Sequence, residues 1–344
     1  MAASGAYRIN QQFALGLTDE WYIEEQRFGA DALISGLLHN DSSAIEAGLK
    51  MFDWGFVQQQ QDGSFGNTGD AFHSTSLFIQ SVAYALLTLQ ESPVADQYTD
   101  VIEQYLTPLN NAAHWMIQAD IWEQGLTHTA PYTHRYYILS AALGLTGKLT
   151  NDQKLIDYAD QTIIAGLARQ QSDGANPEMG GHDTSYQMSG ALYAMRWLTH
   201  FSTDPLAADV ATMLDQALLW EDSVILETGA INSDGNTRTE GVALTRAGEI
   251  KQINHREIIY GFAYWFSMTD ESLWESNALQ VASYYYSEDE QVVLALEKIE
   301  HSQSPLIDVE PTSKSQPVPE TSYSFGLLMS GVLCFLCRCK SLQS

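Results

Sequence analysis

Gln60-Gln61-Asp62-Gly63-Ser64-Phe65-Gly66 and Gln170-Gln171-Ser172-Asp173-Gly174 are two versions of one turn, 111 positions apart, and each closes a stretch whose apolar residues recur every three or four positions. Asp234-Gly235 follows 61 positions after the second. Such spacing marks helices with a buried face, and a glycine just past the last periodic residue is a usual stop. Worked outward from these turns, the period predicts helices near 20–39, 42–61, 72–90, 96–119, 131–145, 150–171, 183–201, 205–220, 255–268 and 272–297. The connections alternate in length. Short ones fall at His39-Asn40-Asp41, Glu91-Ser92-Pro93, Leu149-Thr150-Asn151 and Thr203-Asp204-Pro205, and long polar ones span 62–71, 120–130, 172–182 and 221–254. Every second connection of an antiparallel series lies at the same end, so the long ones are expected to share one rim. A helix pair every 55 to 60 residues or so is a repeat signature. The expected fold is all-α: an α/α toroid, or incomplete barrel, of about five helical hairpins over residues 1–300, with a linear helical solenoid as the alternative.

Lys and Arg number 16 against 43 Asp and Glu, a net charge of −27 in 344 residues. That balance opposes binding to phosphate backbones, whose affinity comes largely from Lys and Arg, so no nucleic-acid partner is expected. The three cysteines, Cys334, Cys337 and Cys339, lie in the last eleven residues. A thiol nucleophile or a Cys-ligated zinc in the body is thereby excluded. From Pro311 onward Lys314, Arg338 and Lys340 face Glu320 alone, which leaves residues 1–310 at −29. Residues 301–322 are rich in Pro, Ser and Thr and are expected to form an extended linker; 323–344 is a short hydrophobic tail closed by Arg338 and Lys340. No G-x-G-x-x-G, P-loop, H-E-x-x-H or G-x-S-x-G is present, so nucleotide, zincin and serine-hydrolase chemistries have no support.

Four segments concentrate reactive side chains. Glu178, His182, Asp183, Tyr186 and Gln187 crowd the start of the helix expected at 183, where Asp183 or Thr184 can cap it and residues four apart project together. An earlier repeat carries Asn67, Asp70, His73 and Ser76 at a matching place. His128, Tyr132, His134, Arg135, Tyr136 and Tyr137 surround another helix start, and Arg135 can grip a carboxylate in two hydrogen bonds. The longest connection holds Asn232, Asp234, Arg238, Glu240, Arg246, Lys251 and Arg256 before an aromatic helix containing Trp265. Its acidic run superficially resembles a calcium loop, but Gly235 is misplaced and no bidentate Glu follows at the required distance, so no metal and no cofactor is expected. Plain structural roles stay open for each group: a capped helix with an incidental His and Tyr, a hydrogen-bonded helical His, an Arg paired with a surface acid. Cations gathered at one rim of an acidic body would favour an anionic ligand.

The tandem Gln-Asp-Gly turns, with the stretch from Glu178 through Gly180-Gly181-His182-Asp183-Thr184-Ser185-Tyr186-Gln187, make residues 20–297 resemble toroidal polysaccharide lyases of the alginate and glucuronan lyase type. The resemblance lies in helix-loop order more than in identity. It implies β-elimination on a uronic-acid polymer, with Tyr186 as base or acid, His73 or His182 as its partner, and Arg135 or Arg238 facing the sugar carboxylate. It also implies binding roles for Glu178, Asp183, Gln187, His128, Tyr132, His134, Arg246 and Trp265. The rivals are a glycoside hydrolase that pairs Glu178 or Asp183 with Asp70 or Glu240, and a non-catalytic sugar-binding surface protein using Trp122, Tyr132, Tyr136 and Trp265. At the C-terminus, Pro317-Val318-Pro319-Glu320, the apolar run and the basic close resemble the PEP-CTERM sorting tail, with Thr321 where a second Pro is usual. That resemblance implies export to the cell surface or beyond, with sorting machinery and a membrane as transient partners. Export needs an N-terminal signal, and Met1 to Gln12 has no apolar core. Either the true start lies upstream, or 323–344 is a simple hydrophobic end with acylatable cysteines.

Overall fold

The computed structural model describes residues 22–66, 68–245 and 248–286, and they are mostly helical, with isolated β-bridges and no strand. A 3₁₀ turn, Ile23–Phe28, leads into α1 (Gly29–His39) and α2 (Ser42–Val57). Then come α3 (Ala71–Gln90), α4 (Thr99–Met116), α5 (Ala119–Thr129), α6 (Thr133–Thr150) and α7 (Gln153–Leu167). The series ends with α8 (Thr184–His200), α9 (Ala207–Ser223), α10 (His255–Thr269) and α11 (Ser272–Tyr286). None of the described helices is long and apolar enough to cross a membrane. The linker, the hydrophobic tail, Asn67 and Arg246 lie outside the described residues.

Short polar side chains start the helices. Asp41, Asp70, Asp152, Asp183 and Asn254 each accept a backbone N–H of the first turn, which satisfies a donor the helix cannot. The repeat is carried by the backbone. Asp41 N donates to Gly36 O and Asp152 N to Gly147 O, both at 2.8 Å, so the α1–α2 and α6–α7 turns are copies 111 positions apart. The glycine turns copy one another too. In the first, Gly63 N donates to Gln60 O and Gln60 N to Ser64 O; in the second, Gly174 N donates to Gln171 O and Gln171 N to Ala175 O.

The third copy is not at Asp234-Gly235. It is at Gly229, 55 positions after Gly174, where Gly229 N donates to Leu226 O and Leu226 N to Ala230 O. All three glycines have φ near +90°, and a Cβ on each would meet a backbone oxygen of the next outer helix (Asn111, Gln216 or Gln280) at 2.2–2.3 Å. Only glycine fits such a place. Thr228 replaces the aspartate that precedes the other two, its hydroxyl accepting the N–H two residues on as Asp62 and Asp173 do, and this hid the repeat.

The loop expected at 120–130 is a helix, α5. Ile121, Trp122 and Leu126 pack inward at helical spacing, and Gly125 lets the backbone settle onto the Phe72 ring. Several expected ends also move: α2 stops at Val57, α7 at Leu167, and α6 continues to Thr150.

Five segments follow one another as neighbours: the 3₁₀ turn with α1, then α3, α6, α8 and α10. Behind them pack α2, α4, α7, α9 and α11 respectively. The middle of the first set is buried nearly all round, α6 with fifteen buried residues of eighteen and α3 with fifteen of twenty, whereas α1 has six of eleven and α10 eight of fifteen. The core is therefore the shared wall of these inner helices, with Phe78, Tyr137, Trp197 and Phe262 among its largest fully buried side chains.

Candidate functional site

One aspartate organises the site. Asp183 caps α8 by accepting Tyr186 N at 3.3 Å, and it also takes Arg238 N (2.9 Å), Thr239 N (2.7 Å) and the Thr239 hydroxyl (2.9 Å). Asn236 bridges to Thr184, and the Thr237 hydroxyl donates to Glu178 O. Residues 236–239 are thus pinned across the start of α8. The Arg238 guanidinium consequently lies 3.6 Å above the Tyr186 ring.

Beside this clasp is a buried ionic knot. Glu178, 1% exposed, receives Arg238 Nη1 on one oxygen at 2.7 Å and His134 Nδ1 on the other at 2.9 Å. Burial raises the Glu178 pKa, but His134 and Arg238 outweigh it and hold the carboxyl below its ordinary value. A carboxylate can only accept, so the proton between them sits on His134 Nδ1. Burial meanwhile depresses the His134 pKa against the pull of Glu178, which leaves a neutral imidazole with a lone pair on Nε2.

A partly open cavity of ≈ 330 Å³ adjoins the knot. Its wall includes His73, His134, Tyr186, Lys251, Arg27 and Glu257. Position in the helix explains much of this set. His73, Tyr186 and Glu257 are each the third residue after a capping side chain, Asp70, Asp183 and Asn254. The first turns of α3, α6, α8 and α10 therefore face one space, where their helix dipoles add positive potential.

Lys251 Nζ donates to Tyr186 Oη at 2.9 Å. Burial pushes the Tyr186 phenol up to about 12 although Arg238 pulls it down, so it is a protonated donor at neutral pH. The His73 pKa is held well below its usual value by burial, then by Arg135 and His134. Burial raises Glu257 against the opposing pull of Arg27 and Arg196. The wall thus offers two uncharged imidazoles, a phenol and cations, the equipment for moving a proton near an anion.

The sequence-derived set is only partly gathered here. Tyr186, His73 and His134 line the cavity, with Arg238 and Glu178 immediately behind. Arg135 is bound to Asp70 at 3.1 Å and lies over the Tyr132 ring at 4.4 Å, and Arg238 lies 4.9 Å from that same ring. His182 is not in the wall: it precedes the cap, so its ring turns to Trp220, 5.3 Å away, and its Nε2 meets Asp234 O. His128 is exposed at the end of α5. Gln187 is buried and holds the Gly174 turn against Ala217. Trp265 is 3% exposed and donates to Asp215; the apolar period that placed it on a helix also places it in the core. Arg27 and Glu257 were given no role by the sequence, and Lys251 figured there only as one of the rim cations that would favour an anionic ligand. The capping pattern Asp70/His73 and Asp183/Tyr186, extended to Asn254, would have found Glu257.

Under the clasp lies Glu221, with no exposure and no hydrogen-bond partner among the described residues for either oxygen. Burial, with the Asp183 charge added, raises its pKa well above the ordinary carboxyl value. Such a group costs the fold stability as pH rises from about 4.3, its value in an unfolded chain, toward the raised folded value. Glu221→Gln is expected to flatten that loss, read as urea midpoints that hold as the pH is raised above about 5, where the parent protein's decline. No protein family, curated protein or solved structure matches the chain.

Proposed function

We propose that the protein is a carbohydrate-active lyase that cleaves a uronic-acid polymer by β-elimination, on an α/α toroid of about five helical hairpins. The neighbour order of five inner segments, each backed by an outer helix, supports the ring. The observation that carries the activity is the cavity wall: His134 with its free Nε2 lone pair, the protonated Tyr186 phenol, and the cations Lys251 and Arg27 around one space.

In this mechanism the sugar carboxylate lies in the field of the cations Lys251 and Arg27, with Lys251 Nζ held by the Tyr186 oxygen, and that field lowers the cost of carbanion character at C5. His134 accepts the C5 proton, with His73 beside it at a ring separation of 6.3 Å. The C4–C5 double bond forms as the C4–O bond breaks, and Tyr186 gives its proton to the leaving oxygen. Arg238, held by Glu178, and Arg135, held by Asp70, stand behind the cavity wall, whereas Arg27, although paired with Glu25 at 3.8 Å, and Lys251 line it, so the cationic role passes to these two. Repulsion from an acidic body is screened within a few ångströms in salty surroundings, where local cations dominate.

A hydrolase fits less well. Asp70, Glu178, Asp183 and Glu240 are absent from the cavity wall, and Glu257 is the one carboxylate in it among the described residues. The deciding experiment is incubation with alginate, glucuronan and pectate, following the absorbance of the unsaturated uronate and the release of reducing ends together. Both should rise. Reducing ends without absorbance would mean a hydrolase, and binding without either signal a non-catalytic sugar-binding protein. Export, with residues 323–344 meeting sorting machinery and a membrane, belongs to the same proposal.

A further inference from the structure

The hydrogen bond between Lys251 and Tyr186 has a direction that chemistry dictates. An ammonium has no lone pair, so Lys251 Nζ donates and the phenol oxygen accepts, at 2.9 Å. The hydroxyl proton of Tyr186 must then point elsewhere. One face of the ring is covered by the Arg238 guanidinium at 3.6 Å, and both residues line or border the cavity.

Lys251 is held firmly enough to impose this. Its N–H donates to Ala243 O at 2.9 Å and its carbonyl accepts Glu240 N at 2.6 Å. That segment is continuous with Arg238 and Thr239, which Asp183 clasps to the helix bearing Tyr186. The phenol and its ammonium partner, 65 positions apart, are therefore fastened to the same cap.

We propose that Lys251 is the positioning residue of the site: it turns the Tyr186 hydroxyl proton toward the bound ligand and holds the phenolate left when that proton departs. The second half rests on the lyase mechanism above. In it, the O–H bond of Tyr186 breaks, the proton passes to the leaving oxygen, and the electron pair stays on Oη beside the ammonium. The proton that His134 took from C5 then returns through solvent to Oη, so no proton is gained or lost. The other charged groups facing the phenol are Glu178, Asp183 and Glu257, which oppose its ionisation, and Arg238, which favours it. The His134 ring lies 4.7 Å from it.

The test places 3,5-difluorotyrosine at position 186, bringing the phenol's ionisation into the range where a lysine is charged, and follows it by ¹⁹F NMR. Lys251→Met should raise the titration midpoint by about one pH unit or more, as expected for loss of an adjacent cation. Lys251→Arg should restore most of it. In the natural-tyrosine protein, Lys251→Met should lower kcat about 10²-fold on the polymer it cleaves, with KM within a few-fold and partial rescue by arginine. A midpoint unmoved by Lys251→Met would overturn the proposal, as would a KM effect with kcat intact. A shifted midpoint in a protein that cleaves no uronate polymer would sink the lyase mechanism while upholding the Lys251–Tyr186 pairing.

Discussion

Tyr186→Phe is expected to lower turnover on a uronate polymer by about 10²–10⁴-fold, the range for removing a positioned proton donor. Binding should survive, because the ring that packs beside His134 and under Arg238 is retained. Stability should change by about 1 kcal/mol at most, since only the Lys251 hydrogen bond is lost. Single-turnover rates, substrate affinity and urea unfolding would separate these three effects. A variant with an unchanged rate would remove the phenol from the chemistry.

The second large effect belongs to Glu178. Its carboxylate is the shared partner of a largely buried guanidinium and a buried imidazole, and Glu178→Ala leaves both without it beside a partly open cavity. Stranding a buried partner typically costs about 3–5 kcal/mol. The loss should appear in denaturant midpoints and reach the chemistry too, because nothing would then hold the His134 proton on Nδ1 and keep Nε2 as the acceptor. Glu178→Gln offers a sharper comparison. An amide can place its carbonyl toward only one of the two donors, so it should recover part of the stability and little of the rate. Retention of full stability in Glu178→Ala would mean that the three groups are not a mutually dependent unit.

Much of the helical body is legible in the chain. Apolar spacing gives most of the helices, Asp and Asn mark five of their starts, and the Gly63 and Gly174 turns announce the repeat. What escaped has physical causes. The turn at Gly229 uses Thr228, not an aspartate, for the same hydrogen bond, so residue identity concealed a conserved geometry. In α5, Gly125 and the exposed Glu123, Gln124, Thr127 and His128 mimic a polar loop, whereas the glycine is there to meet an aromatic ring. The site was legible in part: Tyr186, His134, His73 and Arg238 stand out as residue types in clusters. The outward turn of His182 was not, because one position before a cap the backbone is still extended and the following helix no longer dictates direction. Nor were the pairing of Lys251 with Tyr186 and the place of Arg27, which depend on contacts across 65 and more residues.

The neighbour-to-neighbour stacking of hairpins sets where the protein is most vulnerable. Each hairpin packs most extensively on the one before and the one after, and a few polar contacts such as Tyr84 to Tyr264 cross between non-neighbours, so cohesion is shared largely along a series. The hairpin of α10 and α11 carries Glu257 and follows directly on the segment holding Lys251. Loosening of this last described hairpin would take down one side of the cavity wall while the middle of the stack stayed intact, at a free-energy cost below that of melting the whole. Integrity of the cavity should therefore be lost on heating before the helices of the middle melt.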